Sequence, residues 1–280
     1  MEIIFNRLDE NSCRFQIGPV NTAFANSFRR AMIGEVPTLA IEDVRIYDNT
    51  SALFDEMLAH RIGLIPIRTD LSSYVIREEC SCNGEGCAAC RATFTMSVEG
   101  PGMVYSRDLI PEDPQTTPAY DNVPIVKLTK DQKVVVEAHA VLSTGKMHAK
   151  WQPTTACGYK NYPLITIGEA CDGCGQCVEE CPRMVLEVDN ARVKVVEGRI
   201  EECSLCGLCE KACLGSGIGE EPAINVSFEK KRYIFVVEGD GSLPVKEIIE
   251  HGLQFIKNQS EELKEKIGEI SGGTGDEKQE

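Results

Sequence analysis

The sequence predicts an α+β fold divided into two or three domains. Amphipathic helical stretches stand near both ends, residues 92–160 are rich in Val, Ile and Thr with Pro and Gly breaks, and twelve of the 14 cysteines fall in three tight clusters. A length of 280 residues exceeds the ~100–200 of one domain, and a hydrophobic content of 42% can fill a sizeable core. "MEIIFNRLDE" has no basic segment followed by an apolar run, so no signal peptide is read there. No apolar stretch reaches the ~18 residues of a membrane span. A soluble, cytoplasmic protein is expected.

Each element follows from local pattern. "FNRLDENSCRFQI" reads as a hairpin turning at Asp9 to Ser12, with Cys13 a small buried residue in the alternation of Phe15 and Ile17. Asn21 is placed to cap a helix that keeps Val20, Ala23, Phe24, Phe28, Ala31 and Met32 on one side, and Gly34 and Pro37 mark its end. "TLAIEDVRI" reads as a strand and "TSALFDEMLAHRIG" as a second short helix. His60 in that stretch reads as a packing residue without chemistry. Residues 92–160 read as mostly strands, and Cys157, without a spaced partner, as another buried small residue.

"RMVLEVDNARVKVV" reads as a short hairpin turning at Asp189-Asn190. "AINVSFEKKRYIFVVE" reads as a further hairpin with Lys230, Lys231 and Arg232 at its tip. A last helix follows Ser242 and Pro244. Its Ile249, Leu253, Ile256, Leu263, Ile267 and Ile270 repeat with the 3.5-residue period of a packed helical seam. The polar 271–280 segment reads as a disordered tail.

The formal charge of −15 weighs against nucleic-acid binding, which neutralises phosphates with clustered Lys and Arg. The densest basic groups are Arg29-Arg30, read as a solvated helix face, and the Lys230 to Arg232 tip. This chain should grip DNA weakly.

In a reducing compartment, spaced thiols more often hold metal than form disulfides. "CDGCGQCVEECP" spells C-x2-C-x2-C-x3-C-P with Cys171, Cys174, Cys177 and Cys181, and Cys203, Cys206, Cys209 and Cys213 repeat it without the proline. Zinc or oxidised thiols are the plain alternative. The module resembles a two-cluster ferredoxin over residues 164–222. In that pattern the fourth cysteine of each motif serves the other cluster. One four-iron site of Cys171, Cys174, Cys177 and Cys213 is thus predicted, and a second of Cys203, Cys206, Cys209 and Cys181. Gly173, Gly175 and Gly207 stand where the loops turn sharply. The module's small core is expected from Leu164, Ile165, Ile167, Val185, Leu186 and Val188. The third cluster, Cys80, Cys82, Cys87 and Cys90, puts four thiols on one Gly-containing loop, which suits a tetrahedral zinc ion. An empty thiol loop or an iron cluster stays open there.

"GPVNTAFANSFRRAMIGEVPTLAIEDVRIYDNTSALFDEMLAHRIGLIPI", Gly18 to Ile67, closely resembles the family of archaeal RNA polymerase D subunits. That family includes the third-largest eukaryotic polymerase subunit and, more distantly, the amino-terminal domain of the bacterial α subunit. The likeness continues through "WQPTTACGYKNYP" and the last helix, and Cys80 to Cys90 match the family's zinc loop. Some archaeal members carry a ferredoxin-like insert.

The resemblance implies a discontinuous dimerisation domain from residues 1–45 and 226–280, a mostly β insert domain at 46–163, and the iron–sulfur domain at 164–225. It implies a noncatalytic scaffold within a nucleotidyltransferase, pairing with the small subunit L to nucleate assembly of the large catalytic subunits. Phe24, Phe28, Ile249, Leu253, Ile256 and Leu263 would form the partner seam. The competing function is a ferredoxin-like electron-transfer protein. Against that relay, no Gly-x-Gly-x-x-Gly follows a strand anywhere.

Overall fold

The computed structural model describes residues 1–215 and 221–272. Strands β1 (Glu2–Leu8) and β2 (Ser12–Gly18) flank the expected turn, where the Asp9 N–H donates to the Ser12 carbonyl at 2.8 Å. Cys13, Phe15 and Ile17 are buried, as a period-2 strand requires. Helix α1 (Thr22–Gly34) begins where the Asn21 side-chain oxygen accepts the Phe24 N–H at 2.7 Å, satisfying a donor the helix cannot. Its buried stripe is Ala25, Phe28, Ala31 and Met32, while Ala23 is exposed and Phe24 half-buried. The stripe is therefore turned from the expected one.

Next come β3 (Pro37–Asn49), α2 (Asp55–Gly63), β4 (Ala92–Glu99), β5 (Gly102–Tyr105), β6 (Ile110–Pro111), β7 (Pro124–Leu128) and β8 (Lys133–Thr144). They build a sheet in the order β3-β8-β4-β6 and a small β5-β7 sheet. Antiparallel pairing sets Leu39 opposite Leu142 and Phe94 opposite Ala138. Leu58 and Ile62 of α2 join the same core. His60, on the outer side of α2, is exposed, which corrects its reading as a packing residue.

The remaining elements are β9 (Thr154–Ile167), α3 (Gln176–Glu179), β10 (Leu186–Asp189), β11 (Arg192–Val195), α4 (Leu208–Gly215), β12 (Ile224–Gly239) and α5 (Val245–Gly272). Strand β12 corrects the expected hairpin: it runs unbroken between β2 and β9 in the sheet β1-β2-β12-β9. Three consecutive charges at 230–232 imitate a turn, but neighbours on both sides satisfy the strand's backbone and a single left-handed residue, Lys231 at φ 66°, absorbs the irregularity. Arg232 is held there, donating to Gln16 at 2.6 Å and lying over the Tyr162 ring at 4.2 Å.

Two compact units result: Met1–Asn6, Arg14–Ala25 and Tyr159–Phe235 form one, and Arg7–Cys13, Asn26–Gly158 and Val236–Glu280 the other. In the second, α5 buries Val245, Ile248 and Ile249. Gly252 lets α5 approach α1 closely, since a Cβ there would stand 2.9 Å from Met32 Cγ. From Lys257 to Glu269 every side chain of α5 is exposed. The helix reaches Gly272 and so includes the first two residues of the expected tail. Segments 216–220 and 273–280, and the Ile270 side chain, lie outside the described residues.

Candidate functional site

The iron–sulfur module is organised by its hairpin. Asn190 and Ala191 both take positive φ, 48° and 59°, the two-residue turn whose twist matches paired strands. That turn presses on the first cysteine loop. A Cβ on Gly173 would lie 2.5 Å from the Ala191 backbone, so both the close approach and its φ of 72° demand glycine.

The loops bring the cysteines together in the exchanged sets. Cys171, Cys174, Cys177 and Cys213 line one cavity of about 40 Å³ with Val193 and Ile224. Cys181, Cys203, Cys206 and Cys209 line another, of about 10 Å³, with Pro182 and Val226. The Val193 N–H approaches Cys171 Sγ at 3.5 Å and the Ala223 N–H approaches Cys213 Sγ at 3.2 Å. Burial pushes the Cys177 thiol up to about 11, reinforced by Cys213, Cys171 and Cys174. Burial likewise raises Cys209 to about 11, with Cys203 and Cys181 adding to it. Thiolates crowded in a dry site are unfavourable until a cation joins them. The donor set, the enclosure and this crowding all fit thiolate-bound iron.

The module's core differs from the expected set. Val185, Leu186, Val193 and Ile224 are buried with Cys177, Cys203 and Cys209, whereas Leu164 and Val188 are exposed. Val188 stands on the outer face of a two-stranded hairpin, and Leu164 on the outer face of β9. Cysteines therefore make up much of the buried interior.

The 80–90 loop gathers a third quartet. Cys80 to Cys87, Cys82 to Cys90 and Cys87 to Cys90 are 3.5, 3.6 and 4.0 Å apart between Sγ atoms, and all four lie within 4.8 Å. Zn–S bonds of about 2.3 Å at tetrahedral angles place sulfurs about 3.8 Å apart. Backbone N–H groups of Cys87 and Gly86 pull Cys82 down to about 5, while burial holds Cys90 up to about 12. One thiolate is thus ready at neutral pH, and a metal must displace protons from the others. If zinc fills this loop, replacing Cys90 by Ser should abolish it, read by elemental analysis of the purified chain, and leave the iron content unchanged.

The seam residues divide. Phe28 is 1% exposed and belongs to the interior, which corrects its place on an accessible seam, because the turned stripe of α1 aims it at α5. Ile249 is also buried. Phe24, Leu253 and Ile256 are half-buried, and Leu263 is 60% and Ile267 58% exposed. A groove of about 800 Å³ runs beside α1 and α5, lined by Ser27, Arg30, Ile33, Phe255, Ile256 and Leu263. Arg29, expected to be solvated, instead donates to the Cys157 carbonyl at 2.8 Å. Cys157 is half-buried rather than buried, with its thiol raised to about 11 by desolvation.

One cluster of residues escaped the sequence reading. Glu201 beside Cys203 receives the Asn6 and Gln16 amides and the Arg14 guanidinium, and Lys160 donates to the Glu201 and Cys203 carbonyls at 2.6 and 2.7 Å. Its members lie up to 195 positions apart, so no spacing announces them.

Residues 44–158 match the family model of the RNA polymerase Rpb3/RpoA insert domain, and residues 170–215 match that of the 4Fe-4S dicluster domain. DNA-directed RNA polymerase subunit Rpo3 of Methanosarcina acetivorans is 48% identical over 264 residues, covering 94% of this chain and 97% of that protein. The Rpo3 subunit of Archaeoglobus fulgidus is 44% identical, covering 92% and 94%. That of Methanothermobacter thermautotrophicus is 40% identical, covering 94% and 97%.

Proposed function

Because the chain belongs to the Rpo3 family of DNA-directed RNA polymerase subunits, we propose that it is the noncatalytic assembly subunit of a cytoplasmic polymerase, pairing with small subunit L and then recruiting the large catalytic subunits. The exposed residues 257–269 of α5 carry this reading. Leu263 and Ile267 extend an apolar stripe beyond the part of the helix that packs on α1, and a lone helix gains nothing from apolar side chains facing water. A second helix laid along that stripe and the adjoining groove would bury it. No described helix is long and apolar enough to cross a membrane.

Cys171, Cys174, Cys177 and Cys213 would hold one four-iron cluster, and Cys203, Cys206, Cys209 and Cys181 the other. Each cluster supplies a covalent-strength tie between two loops whose own core is small. Cys80, Cys82, Cys87 and Cys90 would hold zinc as a further staple. The reading assigns no catalytic residue to this chain.

Anaerobic purification with metal analysis tests the cofactor part: about eight iron, about eight sulfide and one zinc per chain are expected from two four-iron clusters and one tetrahedral site. Co-expression with subunit L tests the scaffold part. A stable monomer indifferent to L would overturn it. With net charge −15, the pair should not hold duplex DNA at physiological salt. Micromolar or tighter binding with a steep salt slope would contradict that expectation.

A further inference from the structure

The two cysteine quartets face unlike charges. Behind Cys203, the half-buried Lys160 donates from Nζ to the Glu201 and Cys203 carbonyl oxygens at 2.6 and 2.7 Å. Arg14 donates from Nη2 to the same Glu201 carbonyl at 2.8 Å, and Arg183 lines that quartet's cavity. Two acids in this region cancel against guanidinium groups, and Glu180, next to Cys181, is exposed to solvent. The Glu201 carboxylate pairs with Arg14 at 3.5 Å, Glu202 pairs with Arg199 at 2.6 Å, and Glu210 accepts the Val226 N–H at 2.5 Å. The other quartet's cavity is lined by Asp172 and Glu221 and by no described Lys or Arg, and the cation at its loop, the exposed Arg192, donates to the Gly168 carbonyl at 3.0 Å, three residues before Cys171. Backbone N–H groups reach Cys171 Sγ at 3.5 Å and Cys213 Sγ at 3.2 Å in that quartet. They act against its acids, so the charge of Lys160 has to outweigh them.

We propose that Lys160, with Arg183, sets the reduction potential of the centre at Cys181, Cys203, Cys206 and Cys209 above that of the centre at Cys171, Cys174, Cys177 and Cys213. The first electron given to the module then resides beside Lys160. This rests on the assignment of a four-iron cluster to each quartet. An added electron makes a thiolate-bound cluster more negative, and its cost depends on nearby charge, hydrogen bonds to sulfur and solvent access. Cys203 and Cys209 are buried while Cys206 is exposed, so solvent screens least on the Cys203 side, where Lys160 stands. Lys160 touches the backbone of a ligand residue and not its sulfur, and so acts as a positioning charge.

The test is a mediated titration of the full chain with titanium(III) citrate as electron donor, followed by electron paramagnetic resonance, with iron assayed on each sample. Two separate one-electron steps are expected. Lys160→Met keeps an apolar stem and removes the charge. It should lower the reduced-to-oxidised ratio of the upper step about tenfold at fixed potential, ~59 mV for one electron, and leave the lower step in place. Lys160→Arg should restore it. Asp172→Asn with Glu221→Gln should raise the lower step alone. Coincident steps in the wild type, or a Lys160→Met variant that shifts both steps or neither, would overturn the proposal. If Lys160→Met loses iron, the acidic double variant decides, and an unmoved lower step rejects the idea. Iron near four per chain would reject the two-cluster assignment and this proposal with it. Iron near eight with coincident steps rejects this proposal alone.

Discussion

Exchanging Cys181 for serine is expected to release both cysteine loops rather than the one that carries it. Cys181 follows the first loop but lines the cavity of Cys203, Cys206 and Cys209, and Cys213 does the reverse. On the proposed assignment each cluster would tie two loops, and losing either tie should free both. The aliphatic interior cannot compensate. Val185, Leu186, Val193 and Ile224 contribute about 6–12 kcal/mol at about 1.5–3 kcal/mol per buried side chain. Ordering even a dozen residues costs as much or more, at about 1–2 kcal/mol each for the backbone alone. The variant should lose its iron and become protease-sensitive across residues 170–215. Binding to subunit L should survive, since the α5 stripe belongs to the other compact unit. Recruitment of the large subunits should weaken. The decisive sample is Cys181→Ser with Cys213→Ser, purified anaerobically with L. If it holds no cluster yet assembles fully active polymerase at normal yield, the clusters are dispensable and this account fails.

Placing aspartate at Leu263 is expected to weaken the pair with L by at least about 100-fold. Leu263 is exposed in the free chain, so the change leaves folding intact while burying an unpaired carboxylate in the complex. That costs about 3 kcal/mol or more, and each 1.4 kcal/mol is a factor of ten. Ile256→Asp should act the same way, with a small loss of stability because that side chain is half-buried. Phe28→Asp makes a useful contrast: its ring is interior, so it should lower the melting temperature of the chain itself. Titration calorimetry and thermal denaturation on the three variants separate these outcomes. Unchanged affinity for Leu263→Asp would place the partner elsewhere.

Local chemistry determined what could be read without a structure. The eight module cysteines, their glycines, the Asn21 cap, the Asp9 turn and the alternation of Cys13, Phe15 and Ile17 each depend on residues a few positions apart. The glycines, the cap, the turn and the alternation are found where the pattern put them, and the cysteines line two shared cavities. The Cys80 to Cys90 loop was legible for the same reason, and its sulfur spacing depends on one tight turn. The family was legible because long runs of residues carry it. What depends on distant neighbours was not. Strand β12 reads as a hairpin until β2 and β9 supply partners on both sides of its charged middle. The α1 stripe could not be oriented before α5 packed on it through Gly252, which is why Phe28 reads as seam and proves interior. Lys160 and Arg14 meet Glu201 beside Cys203 only because strands β9 and β2 carry them there, and charges so far apart along the chain leave no periodic trace. Periodicity tells which residues share a face. Which face is covered, and by what, is decided when elements compete to bury apolar area and satisfy backbone groups in three dimensions.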